Sequence, residues 1–206
     1  MHTQKIDMLL ALYIACIMIA ELMGSKVFTI FGINASVAIF VFPITFTIND
    51  IVTEVFGKQR ALSFVRSGFL TILFLLAFNV LALALPPADR FIPTNPAYNQ
   101  IFGKSLRIII ASLTAFWLSE RLDVYVFSQI RAKFKNKGLW LRNNLSNFIG
   151  QFFDTTVFMF LAFYRPGNFG FIISLILPYW LLKCSMSVIE TPFAYWGVKW
   201  LKTEVK

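Results

Sequence analysis

Hydrophobic residues fall into six long blocks separated by short polar connections, at about 7–23, 35–54, 61–85, 106–130, 142–163 and 169–200. All but the second reach the ~17–25 apolar residues that an α-helix needs to span a hydrocarbon core. The second is irregular: its apolar part, 35–48, is short, Pro43 interrupts it, and Asn49-Asp50-Ile51-Val52-Thr53-Glu54 follows before Gly57. Short, proline-broken segments of this kind line binding sites in transporters, where freed backbone groups find a cavity or a ligand. The other reading is a plain proline kink near the membrane surface. The connection at 86–104 is rich in Pro and Asn and predicts a loop; that at 132–139 is short and basic and predicts an antiparallel hairpin of the fourth and fifth helices. The pattern as a whole predicts an all-α polytopic membrane protein, a single six-helix transmembrane bundle over residues 1–206, with no internal repeat.

Composition leaves room for little else. Of 206 residues, 58% are hydrophobic and 14% charged, and six spans consume the chain, so no soluble catalytic domain fits beside them. The net charge of +9 would suit nucleic acid if it were clustered on one face, but it follows the connections instead. Lys58, Arg60 and Arg66 follow the second block, Arg131, Lys133, Lys135, Lys137 and Arg142 follow the fourth, and Lys199, Lys202 and Lys206 end the chain. The other connections carry only Lys26, then Arg90 and Lys104, then Arg165. By the positive-inside rule both termini and the second and fourth connections are cytoplasmic, which expects a lipid bilayer as partner, with no nucleic acid. The first block resembles a signal peptide but has no small-x-small site before Glu21, so it is expected to stay as the first helix.

Within the blocks stand ionisable residues: Asp123, Asp154, Lys183 and Glu190. A charge at the bilayer centre costs ~2.5–3.5 kcal/mol or more, so it persists where a bundle interior or a wet cavity receives it. Centring the hairpin near Lys137 places Asp123 and Asp154 each ~20 Å from the turn, at similar depth near the midplane. Helical spacing groups further polar residues into stripes: Asn144, Asn147, Gln151 and Asp154 on the fifth helix, and Trp117, Glu120, Asp123 and Phe127 on the fourth. Lys183, Ser187 and Glu190 align on the sixth, with Tyr179 one turn earlier, and Thr47, Asp50 and Glu54 align on the second. Pairing among these groups is the structural alternative, but carboxylates outnumber buried cations, and surplus acids must be protonated, hydrated or matched to donors of a ligand. Carboxylates, amides and aromatic rings together suit a flat polar heterocycle with adjacent N–H donors, such as the guanidine-like edge of a guanine. Trp117, Tyr125, Phe127 or Trp140 could stack on its face. Glu21 fits either the cavity or the outer interface.

Most enzyme classes are excluded. The single histidine, His2, stands at the terminus, which removes Ser-His and Cys-His catalysis and any multi-His metal site within the bundle; no cofactor is expected. Gly103-Lys104-Ser105 resembles the end of a P-loop, but Tyr98 occupies the position that must be Gly. Two intramembrane aspartates also fit an intramembrane aspartyl protease, yet neither lies in a Gly-x-Gly-Asp setting. Cys16 and Cys184 sit inside predicted helices and read as small packing residues.

Phe42-Pro43-Ile44-Thr45-Phe46, then Asn49-Asp50, Glu54 and Phe56-Gly57-Lys58, resembles the signature of the bacterial queuosine precursor transporters, vitamin-uptake-like integral membrane proteins. Glu120-Arg121-Leu122-Asp123-Val124-Tyr125, Leu139-Trp140-Leu141-Arg142-Asn143-Asn144 and Gln151-Phe152-Phe153-Asp154-Thr155 extend the likeness from about Ile14 to Trp196, with Phe56 where that family usually has Tyr. The resemblance implies uptake of a 7-deazaguanine, 7-cyano-7-deazaguanine or its aminomethyl relative, for queuosine in transfer RNA. It also implies a six-helix fold similar to the substrate-binding subunits of energy-coupling-factor transporters. On this reading Asp50, Glu54, Asp123, Asn144, Gln151, Asp154 and Lys183 are the expected cavity residues, with Asn49, Trp117, Glu120, Tyr125, Trp140, Arg142, Asn143 and Glu190 behind them. Asp123 or Asp154 would take the N–H edge, the amides the carbonyl and ring nitrogens, and Lys183 the excess charge or the substrate carbonyl. Dependence on a separate ATPase module and self-association are left open.

Overall fold

The first apolar block, after Gln4, forms α1 (Gln4–Met23), and Gly24 follows it. The structure is a computed structural model that describes the backbone of residues 4–30, 32–133 and 139–205, and their side chains except at 30, 33, 58, 119–147, 186–191 and 203–205. Beyond α1 the chain does not go directly into a second helix. Val27–Ile30 (β1) and Ile33–Ser36 (β2) pair as an antiparallel hairpin in the register Val27 with Ser36 and Ile30 with Ile33. A two-residue link with Gly32 at φ +77° closes it, the left-handed conformation that glycine accepts without steric cost. This hairpin is the one strand pair among the described residues, and the rest of the described chain is almost wholly helical, as the sequence pattern expects.

A short 3-10 turn (Val37–Phe40) leads into α2 (Phe42–Phe56). Pro43 sits in the first turn of α2, where its missing N–H is one the helix leaves unpaired anyway. The proline therefore starts a helix and does not break one. Gly57 at φ +81° ends α2 and turns the chain into α3 (Lys58–Ala84). After a second 3-10 turn (Asp89–Phe91), α4 runs from Asn95 to Lys133, α5 covers Leu139–Phe163 and α6 covers Phe169–Val205. The stretch 86–104, expected to be a loop, is thus helical from Asn95 on, because Pro96 falls at the second residue of α4. At 39 residues α4 is ~58 Å long, well beyond the ~30 Å hydrocarbon core.

Gln4–Met23, Val37–Phe56, Gln59–Ala84 and Asn95–Leu118 are each long and apolar enough to cross a membrane; Phe148–Phe163 and Phe169–Ser185 are apolar but shorter among the described residues. Leu70, Phe74, Phe78 and Leu81 form an exposed apolar face on α3, which water would penalise and lipid would not. The chain is a multi-pass helical membrane protein.

Two larger apolar cores hold the bundle, with a small third one of Ile108, Ala111 and Ala162 between α4 and α5. One joins α1, α2, α3 and the end of α6 through Ile6, Leu9, Tyr13, Ile48, Ile51, Val52, Phe64 and Leu201. The other packs Ala35 of the hairpin against Met159 of α5 and Ile172, Leu175, Ile176 and Tyr179 of α6. Close approach needs glycine at two crossings. A Cβ on Gly68 of α3 would collide with Ile17 and crowd Tyr13 of α1, and one on Gly197 of α6 would collide with Ile51 of α2. Lys5 donates to the Trp200 carbonyl at 2.9 Å and stands 4.9 Å from the centre of its ring, so the start of α1 and the end of α6 lie at the same end of the bundle.

Candidate functional site

Beside these cores lies a cavity of about 230 Å³, walled by α1, the first turn of α2, and α3, α4, α5 and α6. Its position follows from the hairpin. Ser36 donates its Oγ to the Gly24 carbonyl (2.6 Å) and its backbone N–H to Tyr179 Oη (2.7 Å), and Tyr179 Oη donates back to the Ser36 carbonyl (3.0 Å). Asn34 Nδ2 adds a bond to Ser174 Oγ at 3.1 Å. The hairpin is thereby fastened to α6 some ten residues, or ~15 Å, in from the helix start. Because the chain has spent this depth on the hairpin, α2 begins inside the bundle, and Phe42 and Thr45 from its first turn face the cavity.

The lining is aromatic and apolar around a few polar groups. Phe42, Phe69, Phe116, Phe158, Tyr13 and Tyr179 supply rings, and Phe69 and Phe116 sit 5.9 Å apart between centres. Lys183 Nζ on α6 bonds Asp154 Oδ2 on α5 at 2.7 Å and stands 5.9 Å from the centre of the Phe42 ring. Glu21 of α1 is 5% exposed; Ser112 of α4 presents its hydroxyl to this carboxylate, and Glu21 Oε2 has no protein partner. Thr155 Oγ1, also buried in the lining, has no partner either. A buried polar atom without a partner costs ~1–3 kcal/mol, so two of them converging on one cavity mark a place where a ligand or water completes the bonding.

Of the residues expected from sequence, Asp154 and Lys183 are in the wall, and they meet each other. Asp50 and Glu54 are exposed farther along α2, outside the cavity. Asn49 approaches the Tyr13 hydroxyl, one residue behind the wall. Gln151 lies beside Cys184, with Sγ 3.9 Å from Oε1. Trp117 is half exposed on the outside of α4, while its neighbour Phe116 faces in. The side chains of Glu120, Asp123, Tyr125, Trp140, Arg142, Asn143, Asn144 and Glu190 lie outside the described residues. Sequence reasoning missed Thr45, Ser112 and Thr155, and left Glu21 undecided. An unpaired Glu within reach of a helix end was the one visible signal.

Contacts between α4 and α5 set which of their residues meet at the cavity. Arg107 donates Nε to the Leu161 carbonyl (2.8 Å) and Nη2 to that of Tyr164 (2.6 Å), and Ser112, Ala115 and Phe116 share the cavity with Asp154, Thr155 and Phe158. Asp154 is therefore level with about Phe116 of α4.

Residues 36–197 match a protein family described as "Putative vitamin uptake transporter". A Bacillus subtilis protein named "Probable queuosine precursor transporter" is 33% identical over 186 residues, which is 90% of this chain and 81% of the relative. The Escherichia coli "Queuosine precursor transporter" is 27% identical over 68% of this chain and 60% of its own length. A Haemophilus influenzae relative, again named "Probable queuosine precursor transporter", is 27% identical over 67% of this chain and 56% of its own length. No solved structure matches the chain significantly. With the family match over most of its length and a relative aligned nearly end to end, the chain belongs to the vitamin uptake transporter family, among the queuosine precursor transporters.

Proposed function

We propose that the chain is an importer of the bacterial cytoplasmic membrane that carries a 7-deazaguanine precursor of queuosine, such as 7-cyano-7-deazaguanine, inward. Its six helices act as six spans with both termini in the cytoplasm. The basic residues of alternate connections favour that orientation, and the meeting of Lys5 with Trp200 favours an even number of crossings. The observation that carries the reading is the cavity itself. Rings stand on several sides of a space smaller than the ~300–1,000 Å³ of drug-sized pockets, with a Lys–Asp pair and two unsatisfied polar atoms on its walls. A small flat heterocycle with donors and one carbonyl suits it, and the printed names of the relatives point to such a cargo.

In this account Asp154 and Lys183 act as one unit. The ammonium keeps two further N–H donors after serving Asp154, one of which reaches the substrate carbonyl. Asp50, Glu54 and Gln151 are assigned to the route inward from the cavity, together with Asp123 and Asn144, whose side chains lie outside the described residues.

The test is queuosine in transfer RNA from a strain unable to make or import its precursor, supplied with low external 7-cyano-7-deazaguanine. Expression of this chain should restore queuosine, and Asp154→Asn should abolish it while the protein remains in the membrane. Normal queuosine from Asp154→Asn would refute the site. Restoration in a host without a separate ATPase module would also make the chain self-sufficient.

A further inference from the structure

Asp154 was the natural candidate to read the donor edge of the cargo, but Lys183 holds its Oδ2 at 2.7 Å. Glu21 is placed differently. It reaches the cavity from α1, is 5% exposed, and keeps Oε2 without a protein partner. No cation lies against it among the described lining residues, since Lys183 is the one basic residue of that wall. Ser112 faces the same carboxylate from α4 and so fixes its orientation without satisfying it.

We propose that Glu21 is the residue that selects the cargo, by accepting two adjacent N–H donors, a ring N–H and an exocyclic amino group, on its carboxylate. The inference rests on the proposed transport of a 7-deazaguanine and assigns the specificity of that site. The chemistry is a matter of counting. An ionised carboxylate has about four acceptor positions and no donor, so it meets a paired N–H edge side by side and repels a ring nitrogen lone pair. Ser112 occupies one of those positions, and Oε2 with the remaining lone pair of Oε1 takes the edge. Lys183, a pure donor, stands in the same cavity for the carbonyl that neighbours that edge in a guanine-type ring. Acceptor and donor groups on separate helices thus match the donor–donor–acceptor order of the ligand. Thr155 Oγ1, able to give and take, serves either a ring nitrogen or a water.

Selection by hydrogen bonding is strong because the wrong ligand leaves a buried group unmatched, and such sites reject the analogue by factors as large as ~10⁴–10⁵. The experiment is competition against uptake of labelled 7-cyano-7-deazaguanine by the unlabelled compound and by its analogue lacking the 2-amino group. In the unaltered protein the 2-amino compound should compete at least ~100-fold better. In Glu21→Gln, which keeps size and loses one acceptor, that ratio should fall to within a few-fold, largely through loss of affinity for the 2-amino compound. A structural role would weaken both competitors alike and leave the ratio standing, and that result would overturn the assignment. Should Glu21→Gln fail to reach the membrane, Ser112→Ala decides: it frees the carboxylate to turn away, and the ratio should drop about tenfold, an unchanged ratio being contrary. If the unaltered protein takes up no 7-deazaguanine at all, the proposed function fails; if it does and the ratio survives in Glu21→Gln, only the role of Glu21 fails.

Discussion

Tyr179 does three things at once. Its ring walls the cavity, its hydroxyl donates to the Ser36 carbonyl, and the same oxygen accepts the Ser36 N–H, so one side chain supplies both partners that a short hairpin inside a bundle needs. Buried backbone groups left unpaired cost ~1–3 kcal/mol each. Tyr179→Phe is therefore expected to lower the Tm of the detergent-solubilised protein by several degrees, with water replacing part of the loss; an unchanged Tm would mean that the hairpin holds by its apolar contacts alone. Lys183 and Asp154 form the second residue-scale device. Removing one partner of a partly buried ion pair leaves the other uncompensated, whereas removing both is far less damaging. Lys183→Met should thus depress membrane expression more than the Lys183→Met/Asp154→Leu pair does, measured by immunoblot of membranes, while neither variant transports. Equal expression of the two would show that the pair is not coupled. Asp154 and Lys183 could be picked out in the sequence because charge inside a hydrophobic block is conspicuous. Ser112 and Thr155 could not, since a hydroxyl in a membrane helix commonly bonds its own preceding turn, as Thr114 does to Ile110.

At the scale of elements, the irregular second block proves the most consequential, and its reading is half legible. Pro43 correctly marks an unusual place, and Phe42 and Thr45 beside it face the cavity. What the pattern could not show is that the 27–36 stretch folds as strands. Val27-Phe28-Thr29-Ile30 followed by a glycine two residues on is a hairpin signal, but in a chain of apolar blocks it reads as the tail of one helix and the head of the next. Which residues of α4 stand level with Asp154 was illegible for a similar reason. Sequence gives the length of a helix and not its register against a neighbour, which here is set by Arg107 on the Leu161 and Tyr164 carbonyls. Close helix crossings make a further prediction. Gly197→Val would drive side-chain atoms into Ile51, which is 5% exposed and cannot move outward. Overpacking of this kind costs ~1–3 kcal/mol. The variant should lose thermal stability and transport together, whereas Gly103→Val, with open space about its Cα, should lose neither.

For the whole molecule, the architecture is a helical bundle whose apolar cores adjoin an aromatic-walled cavity with a few polar groups, and the hairpin is fastened to α6 beside it. The six hydrophobic blocks were legible because a bilayer imposes length and polarity on anything that crosses it. The cavity as a place was not, since its wall draws residues from Tyr13 to Lys183, and only packing brings them together. The arrangement predicts sidedness. A cysteine introduced at Ala88 should react with a membrane-impermeant maleimide on intact cells, and one at Lys202 should react only after the membrane is opened. The reverse pattern would invert the transporter. The most direct measurement is uptake of labelled 7-cyano-7-deazaguanine into proteoliposomes that contain only this chain. The account predicts accumulation that saturates, that unlabelled compound displaces, and that Asp154→Asn abolishes. Entry no faster than into protein-free liposomes, with the unaltered protein folded and inserted, would contradict a self-sufficient carrier of this cargo.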